Sequence, residues 1–166
     1  LVKDLLTQPN IDDFDISSLL RVSSGGAAMP SDLPEIIEQR VDNAYASGGY
    51  GMTETLAVGS QAAGQVFDAK PASAGVKSPI MAIRCTDAEG RVLPHGEPGE
   101  IEMRGVACTL GYWNKPEANA EIFTDDGWMK TGDFGYVDED SYLYITGRIK
   151  DIVIRGGENI FPGDTE

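Results

Sequence analysis

Residues 43–54 read NAYASGGYGMTE. Small and aromatic residues with strand character give way to Gly48-Gly49-Tyr50-Gly51 and then to a hydroxyl and a carboxylate, Thr53 and Glu54. This predicts a short strand that runs out into a glycine loop. Upstream, SSLLRVSSGG (17–26) predicts a second short buried strand ending in the glycine turn Gly25-Gly26. Between them Leu33, Ile36, Ile37 and Val41 fall on one stripe of a helix, with Ser31 as its cap and Pro34 in its first turn. Strand, helix and strand in this order make a βαβ unit with a parallel sheet. Ligands bind beyond the carboxyl ends of such strands, where both glycine turns fall.

From about Val66 the pattern changes. PIMAIRCTDAEGRVLP (79–94), GEIEMRG (99–105) and ACTLGYW (107–113) are short strand-like runs split by turn residues. One short helix is expected in KPEANAEIF (115–123), and a hairpin in DFGYVDEDSYLYITG (133–147) around Asp138-Glu139-Asp140. DIVI (151–154) reads as a last strand, followed by a loop. The expected fold class is therefore α/β plus antiparallel β. The end of a βαβ layer (1–65) leads to a small distorted β-barrel subdomain (66–149), and residues 150–166 stand apart as a hinge and the start of a further domain.

Composition narrows the function. The 166 residues carry a formal net charge of −14, which disfavours nucleic acid and anionic membranes as partners. Twenty glycines and nine prolines fit a turn-rich chain. Cys85 and Cys108 match no metal-ligand spacing and read as free thiols, making a reducing cytoplasm the expected location. No apolar run is long enough to span a bilayer as a helix. Leu1 opens inside an apolar run and the chain stops at NIFPGDTE, so both ends read as cut from a longer protein.

Three stretches carry candidate chemistry. In the first, glycines free the backbone to approach an anion, and Tyr50 can stack on a flat base. Thr53 can bond a phosphate oxygen, and Glu54 can hold Mg²⁺ together with substrate phosphate. The same stretch also suits a solvated turn. The dinucleotide fingerprint does not fit it, because Glu54 stands where a glycine is required. In the second, GWMKTGD (127–133), a Thr-Gly turn aims the Asp133 carboxylate, a natural partner for a ribose diol. In the third, GRIKDIVIRGGEN (147–159), Arg148 offers planar donors to oxygen. His95 in its loop, the carboxylates Asp12, Asp13 and Asp15, and Trp113 and Trp128 read as inert, capping and packing residues.

Taken in order, SSGGAAM, GGYGMTET, GEIEMRG, GYWNKPEA, DGWMKTGDFGYVDEDSYLYITGR and KDIVIRGGENIFP resemble the adenylate-forming (AMP-binding) superfamily. That superfamily includes the acyl-CoA synthetases and the adenylation domains of peptide synthetases. The likeness runs from about Leu19 to Pro162, and RGGEN is most similar to the fatty and aryl acyl-CoA ligase branch. It implies an acid–thiol ligase that activates a carboxylic acid with ATP and Mg²⁺ and passes the acyl group to coenzyme A. A carrier protein as acceptor, or a non-catalytic β-rich interaction module, are the alternatives.

By this resemblance Gly25, Gly26 and Ala27 lie against adenine, and Gly49, Tyr50 and Gly51 form a wall between nucleotide and acyl group. Thr53 takes the α-phosphate, Glu54 the Mg²⁺, and Asp133 with Arg148 the ribose. Lys150 matches the hinge, and Gly157, Glu158 and Asn159 match a loop near the CoA channel. The family's lysine-ended phosphate loop and its C-terminal catalytic lysine have no counterpart in the chain, so the chain alone is not expected to adenylate. The final PGDTE departs from the family's pattern, with Thr165 in place of an apolar residue.

Overall fold

The computed structural model describes residues 2–26, 30, 32–155 and 158–160, with backbone only for 153–155 and 158–160. Helix α1 (Val2–Leu6) packs on α2 (Leu33–Arg40), which packs on β2 (Tyr45–Tyr50), and strand β1 (Arg21–Ser23) falls between the two helices in sequence. Strands β1 and β2 are parallel, as the βαβ reading requires. The sheet then continues in the opposite sense: β3 (Ser60–Ala63) and β4 (Val76–Lys77) add antiparallel strands in the order β1-β2-β3-β4. These two short strands escaped the sequence reading, as did helix α3 (Gln65–Ala69), because each is too short to show a period.

Leu33, Ile37 and Val41 are buried and Ile36 is partly so, against Leu6, Val22, Ala46, Ala62 and Phe67. The helix starts one residue later than a Ser31 cap would set it. Asp32 holds the cap position without a side-chain capping bond, and Ser31 lies outside the described residues.

The second sheet is antiparallel, in the order β5 (Met81–Thr86), β6 (Gly99–Gly105), β7 (Met129–Val137) and β8 (Leu143–Arg148). Its core gathers Met81, Cys85, Ile101, Met103, Ala107, Met129 and Leu143. Helix α4 (Pro116–Ile122) interrupts it where Pro116 predicted. The Asp138-Glu139-Asp140 turn closes the hairpin, with Asp138 Oδ1 accepting from the Asp140 and Tyr142 amides. Residues 107–113 form a loop rather than the expected strand, and Gly111 (φ 127°) and Asn114 (φ 53°) are incompatible with extended pairing there. The segment expected as a loop after DIVI contains a strand: β9 (Val153–Arg155) pairs with β10 (Glu158–Ile160).

The two sheets are tied together. Ala74 N donates to Leu143 O and Leu143 N to Gly75 O, at 2.7 and 2.9 Å. Lys70 Nζ bonds Asp138 and Asp140 at 2.5 and 2.7 Å and lies over the Tyr142 ring. Where the chain leaves β2, Tyr50, Met52 and Val58 already pack on the second core. The GGYGMTE stretch therefore bridges both halves.

Candidate functional site

Gly48 and Gly49 lie inside β2, opposite Ala62 and Gln61, and not in a loop beyond it. A Cβ at Gly49 would meet Ser60 O at 2.6 Å, and one at Gly51 would meet the Ala57 carbonyl carbon at 2.4 Å. Both glycines are thus demanded by the protein's own backbone. The amides of Thr55 and Ala57 donate to Met52 O, that of Leu56 to Thr53 O and that of Val58 to Thr55 O. The loop consumes these four donors internally, so they are not available to an anion.

The chain turns tightly after Met52. Thr53–Thr55 is one turn of 3-10 helix, and Leu56 (φ 52°) and Ala57 (φ 58°) are both left-handed. Two consecutive non-glycine residues in that region cost about 1–3 kcal/mol each, and such strain gathers at functional sites. Thr55 is fully buried, and its hydroxyl accepts from Met52 N and donates to Met52 O, each at 3.1 Å. The sequence reading passed over Thr55, although it is the third hydroxyl or carboxylate in the run. The Thr53 side chain is exposed and takes no hydrogen bond among the described residues.

Tyr50, Asp133 and Arg148 come together. The Tyr50 hydroxyl donates to Asp133 Oδ2 at 2.5 Å, and Arg148 Nε stands 3.6 Å from Oδ1. Register explains this, since Asp133 in β7 is paired with Arg148 in β8. Thr131, two residues before, donates to Ile101 O and accepts from Asp133 N, fixing the turn that aims the carboxylate. Burial pushes the Tyr50 phenol far above its usual pKa, and the bond to Asp133 adds to the shift. The phenol is therefore a donor at any workable pH.

Two cavities lie close by, the first with Tyr50 in its lining and the second reaching Gly132, next to Asp133. One, of about 230 Å³, is lined by Gly25, Gly26, Gly49, Tyr50 and Gly51, together with Arg21. The other, of about 260 Å³, is lined by Glu54, Tyr112, Lys130 and Thr131. Arg21 was missed in the sequence because a single arginine opening a strand carries no signal. Its Nε donates to Ser47 Oγ at 2.7 Å, and Ser47, fully buried, also bonds Ser23.

Glu54 is partly buried, with Oε1 taken by the Tyr112 hydroxyl at 2.5 Å. No hydrogen bond reaches Oε2 among the described residues. Among those residues no three His, Cys, Asp or Glu side chains gather as a metal cage. A single carboxylate with one open oxygen suits Mg²⁺, which keeps water and substrate phosphate as its other ligands.

Lys150 sits exposed in the 3-10 turn Ile149–Asp151. Ala27 and Gly157 lie outside the described residues, as do the side chains of Glu158 and Asn159. Trp113 does not pack as expected: it is 94% exposed, on a loop with Leu110. Trp128 does pack, against the guanidinium groups of Arg84 and Arg104, whose Cζ atoms lie 4.3 and 4.7 Å from the ring centroid.

A family model for AMP-binding enzymes matches residues 1–113. The chain belongs to the AMP-binding enzyme family. It is similar to a feruloyl-CoA synthase of an Amycolatopsis species, 40% identical over 98% of the chain and 32% of the relative. A 4-coumarate–CoA ligase of Pinus taeda is 34% identical over the whole chain and 32% of the relative. Unliganded O-succinylbenzoate coenzyme A synthetase from Bacillus subtilis superposes with a TM-score of 0.86 at 32% identity, over 99% of this chain and 35% of that one. The same enzyme in complex with ATP and magnesium ion gives 0.79 at 34% identity, over 88% of this chain and 30% of that one. The fold is thus that of part of an AMP-binding enzyme, and the chain spans about a third of the length of the curated relatives it matches. No helix among the described residues is long and apolar enough to cross a membrane.

Proposed function

We propose that the chain is part of an AMP-forming acid–thiol ligase that converts a carboxylic acid to its acyl-adenylate with ATP and transfers the acyl group to coenzyme A. The observation that carries this reading is the meeting of Tyr50, Asp133 and Arg148 beside the cavity lined by Gly25 and Gly26. A flat ring, a carboxylate and a guanidinium at one edge of a cleft fit a base and a ribose diol. The relatives named for 4-coumarate and ferulate favour an aryl acid over a fatty one.

In this reading Gly25, Gly26 and Ala27 face adenine, and Asp133 with Arg148 takes the ribose hydroxyls. Thr53 takes the α-phosphate and Glu54 one face of Mg²⁺, whose charge would offset that of the phosphates. Lys150 is the hinge, and Gly157, Glu158 and Asn159 border the thiol path. Residues 1–65, 66–149 and 150–166 then form two subdomains and a hinge segment. A carboxylate is a poor electrophile and adenylation gives it a good leaving group, so the side chains need only position and stabilise charge. The free thiols Cys85 and Cys108 fit a reducing cytoplasm.

The test is carboxylate-dependent ATP–pyrophosphate exchange by the full-length protein and by this chain, with 4-coumarate, ferulate and a series of fatty acids. Exchange with the aryl acids in the full-length protein supports the reading, and its absence from the chain supports a need for residues outside it. No exchange with any acid, together with no AMP binding, would overturn it.

A further inference from the structure

The Glu54–Tyr112 bond joins the candidate cation ligand to a residue with no assigned role. Tyr112 lies on the loop before α4 and is held there twice. Its amide donates to Asn119 Oδ1 at 2.7 Å, and Asn119 Nδ2 donates back to the Tyr112 carbonyl at 3.0 Å. Gly111 makes room for this clamp, since a Cβ there would stand 2.9–3.0 Å from the Asn119 side-chain amide. The same loop reaches the Thr53–Thr55 turn a second time, through Thr109 N donating to Glu54 O at 2.7 Å. Glu54 is therefore gripped at its carbonyl and at one carboxylate oxygen by a loop anchored on a helix.

A hydroxyl-to-carboxylate bond of this length is of the charge-assisted kind, about twice as strong as a neutral one. It raises the Tyr112 phenol pKa above its usual value, chiefly through Glu54 itself. The bond fixes which oxygen is spoken for. Oε1 is engaged, and Oε2 remains for a ligand in the cavity that Glu54 and Tyr112 share with Lys130 and Thr131. Carboxylates that bind metals are commonly oriented by such outer hydrogen bonds, and losing one costs about 10–100-fold in metal affinity.

We propose that Tyr112 is a positioning residue that, clamped by Asn119, holds the Glu54 carboxylate with Oε2 presented to a phosphate-bound divalent cation. The proposal rests on the adenylating reading above. It makes the coupling between cation and nucleotide depend on a loop 58 residues from Glu54 in sequence.

The test uses the full-length protein, with calorimetric binding of α,β-methylene-ATP in Mg²⁺ and again in EDTA. The ratio of the two affinities is the readout, and a merely structural role for Tyr112 would not move it. Tyr112→Phe is expected to cut the gain from Mg²⁺ by about tenfold or more and to leave the affinity in EDTA within about twofold. Asn119→Ala keeps the phenol but frees the loop, and is expected to lose a smaller part of the same gain. It stands as the second variant if Tyr112→Phe unfolds. An unchanged ratio in the variants overturns the proposal. A larger ratio also overturns it, because the phenol would then compete with the cation. Absence of any Mg²⁺ gain in the unsubstituted protein would instead remove the adenylating reading, and the proposal with it.

Discussion

Tyr50 and Asp133, 83 positions apart, are joined by a 2.5 Å hydrogen bond from phenol to carboxylate. The bond links the end of β2 in the first sheet to the third strand of the second. It also gives Tyr50 a task beyond stacking. Tyr50→Phe keeps the ring and removes the donor, so it separates the two. The bond holds the Asp133 carboxylate in place, so its loss is expected to lower AMP affinity measurably, beside a cost of about 1.5–3 kcal/mol in stability. Calorimetry on the full-length protein checks it. Unchanged affinity would mean that only the ring matters.

Glycines 25 and 51 should respond oppositely to alanine. A Cβ at Gly51 falls 2.4 Å from the Ala57 carbonyl carbon, whereas one at Gly25 meets nothing within 4 Å among the described residues. Gly51→Ala is expected to lower stability by about 1–3 kcal/mol through overpacking. Gly25→Ala should leave the melting temperature almost unchanged, so any fall in its AMP affinity reports a contact with the ligand. Thermal unfolding and AMP titration of both variants decide this.

Arg84 is expected to matter to the fold far more than a surface arginine would. Its Nε lies 2.6 Å from Glu102, a residue only 1% exposed, and its guanidinium also covers the Trp128 ring. Arg84→Ala would leave Glu102 buried without its cation, at a cost of about 3–5 kcal/mol. Urea unfolding measures it. A loss under about 1 kcal/mol would contradict the burial argument.

The acid limb of stability should carry a signature of Asp126. The Arg84 and Thr124 side chains hold its carboxyl down at about 2, against an ordinary value of 3.8. A depressed carboxylate stabilises the fold fully above its unfolded value. That contribution is lost as pH falls from about 4 towards about 2. In Asp126→Asn the decline over that window should be shallower than in the unsubstituted chain. Denaturant midpoints at a series of pH values would show it, and parallel curves would refute it.

The two thiols should label at different rates. Burial pushes the Cys85 thiol up to about 11, and Cys85 is 6% exposed. Burial raises the Cys108 thiol as well, but that side chain is only partly covered. The thiolate is the reactive form and becomes abundant only near and above the pKa. Iodoacetamide at about pH 8 is expected to modify Cys108 first and Cys85 only on unfolding, as peptide mass spectrometry would show. Equal rates would count against the burial of Cys85.

Much of the architecture was written locally. The stripe Leu33, Ile37 and Val41, Pro116 at a helix start and the Asp138-Glu139-Asp140 turn each state a period or a dihedral preference that neighbours alone impose. The wording and order of the motifs also pointed to the family, as a resemblance and not as a derivation from spacing. The tertiary structure decided what depends on distant atoms. Gly49 and Gly51 read as space for a ligand, yet their immediate demand comes from Ser60 and Ala57 on the returning chain. Strands of two to four residues such as β3 and β4 exist only because a neighbouring edge offers hydrogen bonds. The partners Tyr50–Asp133 and Glu54–Tyr112 are set by strand register and loop anchoring. A sequence names the groups able to do the chemistry, but which oxygen is engaged and which is left open is a matter of geometry across the fold.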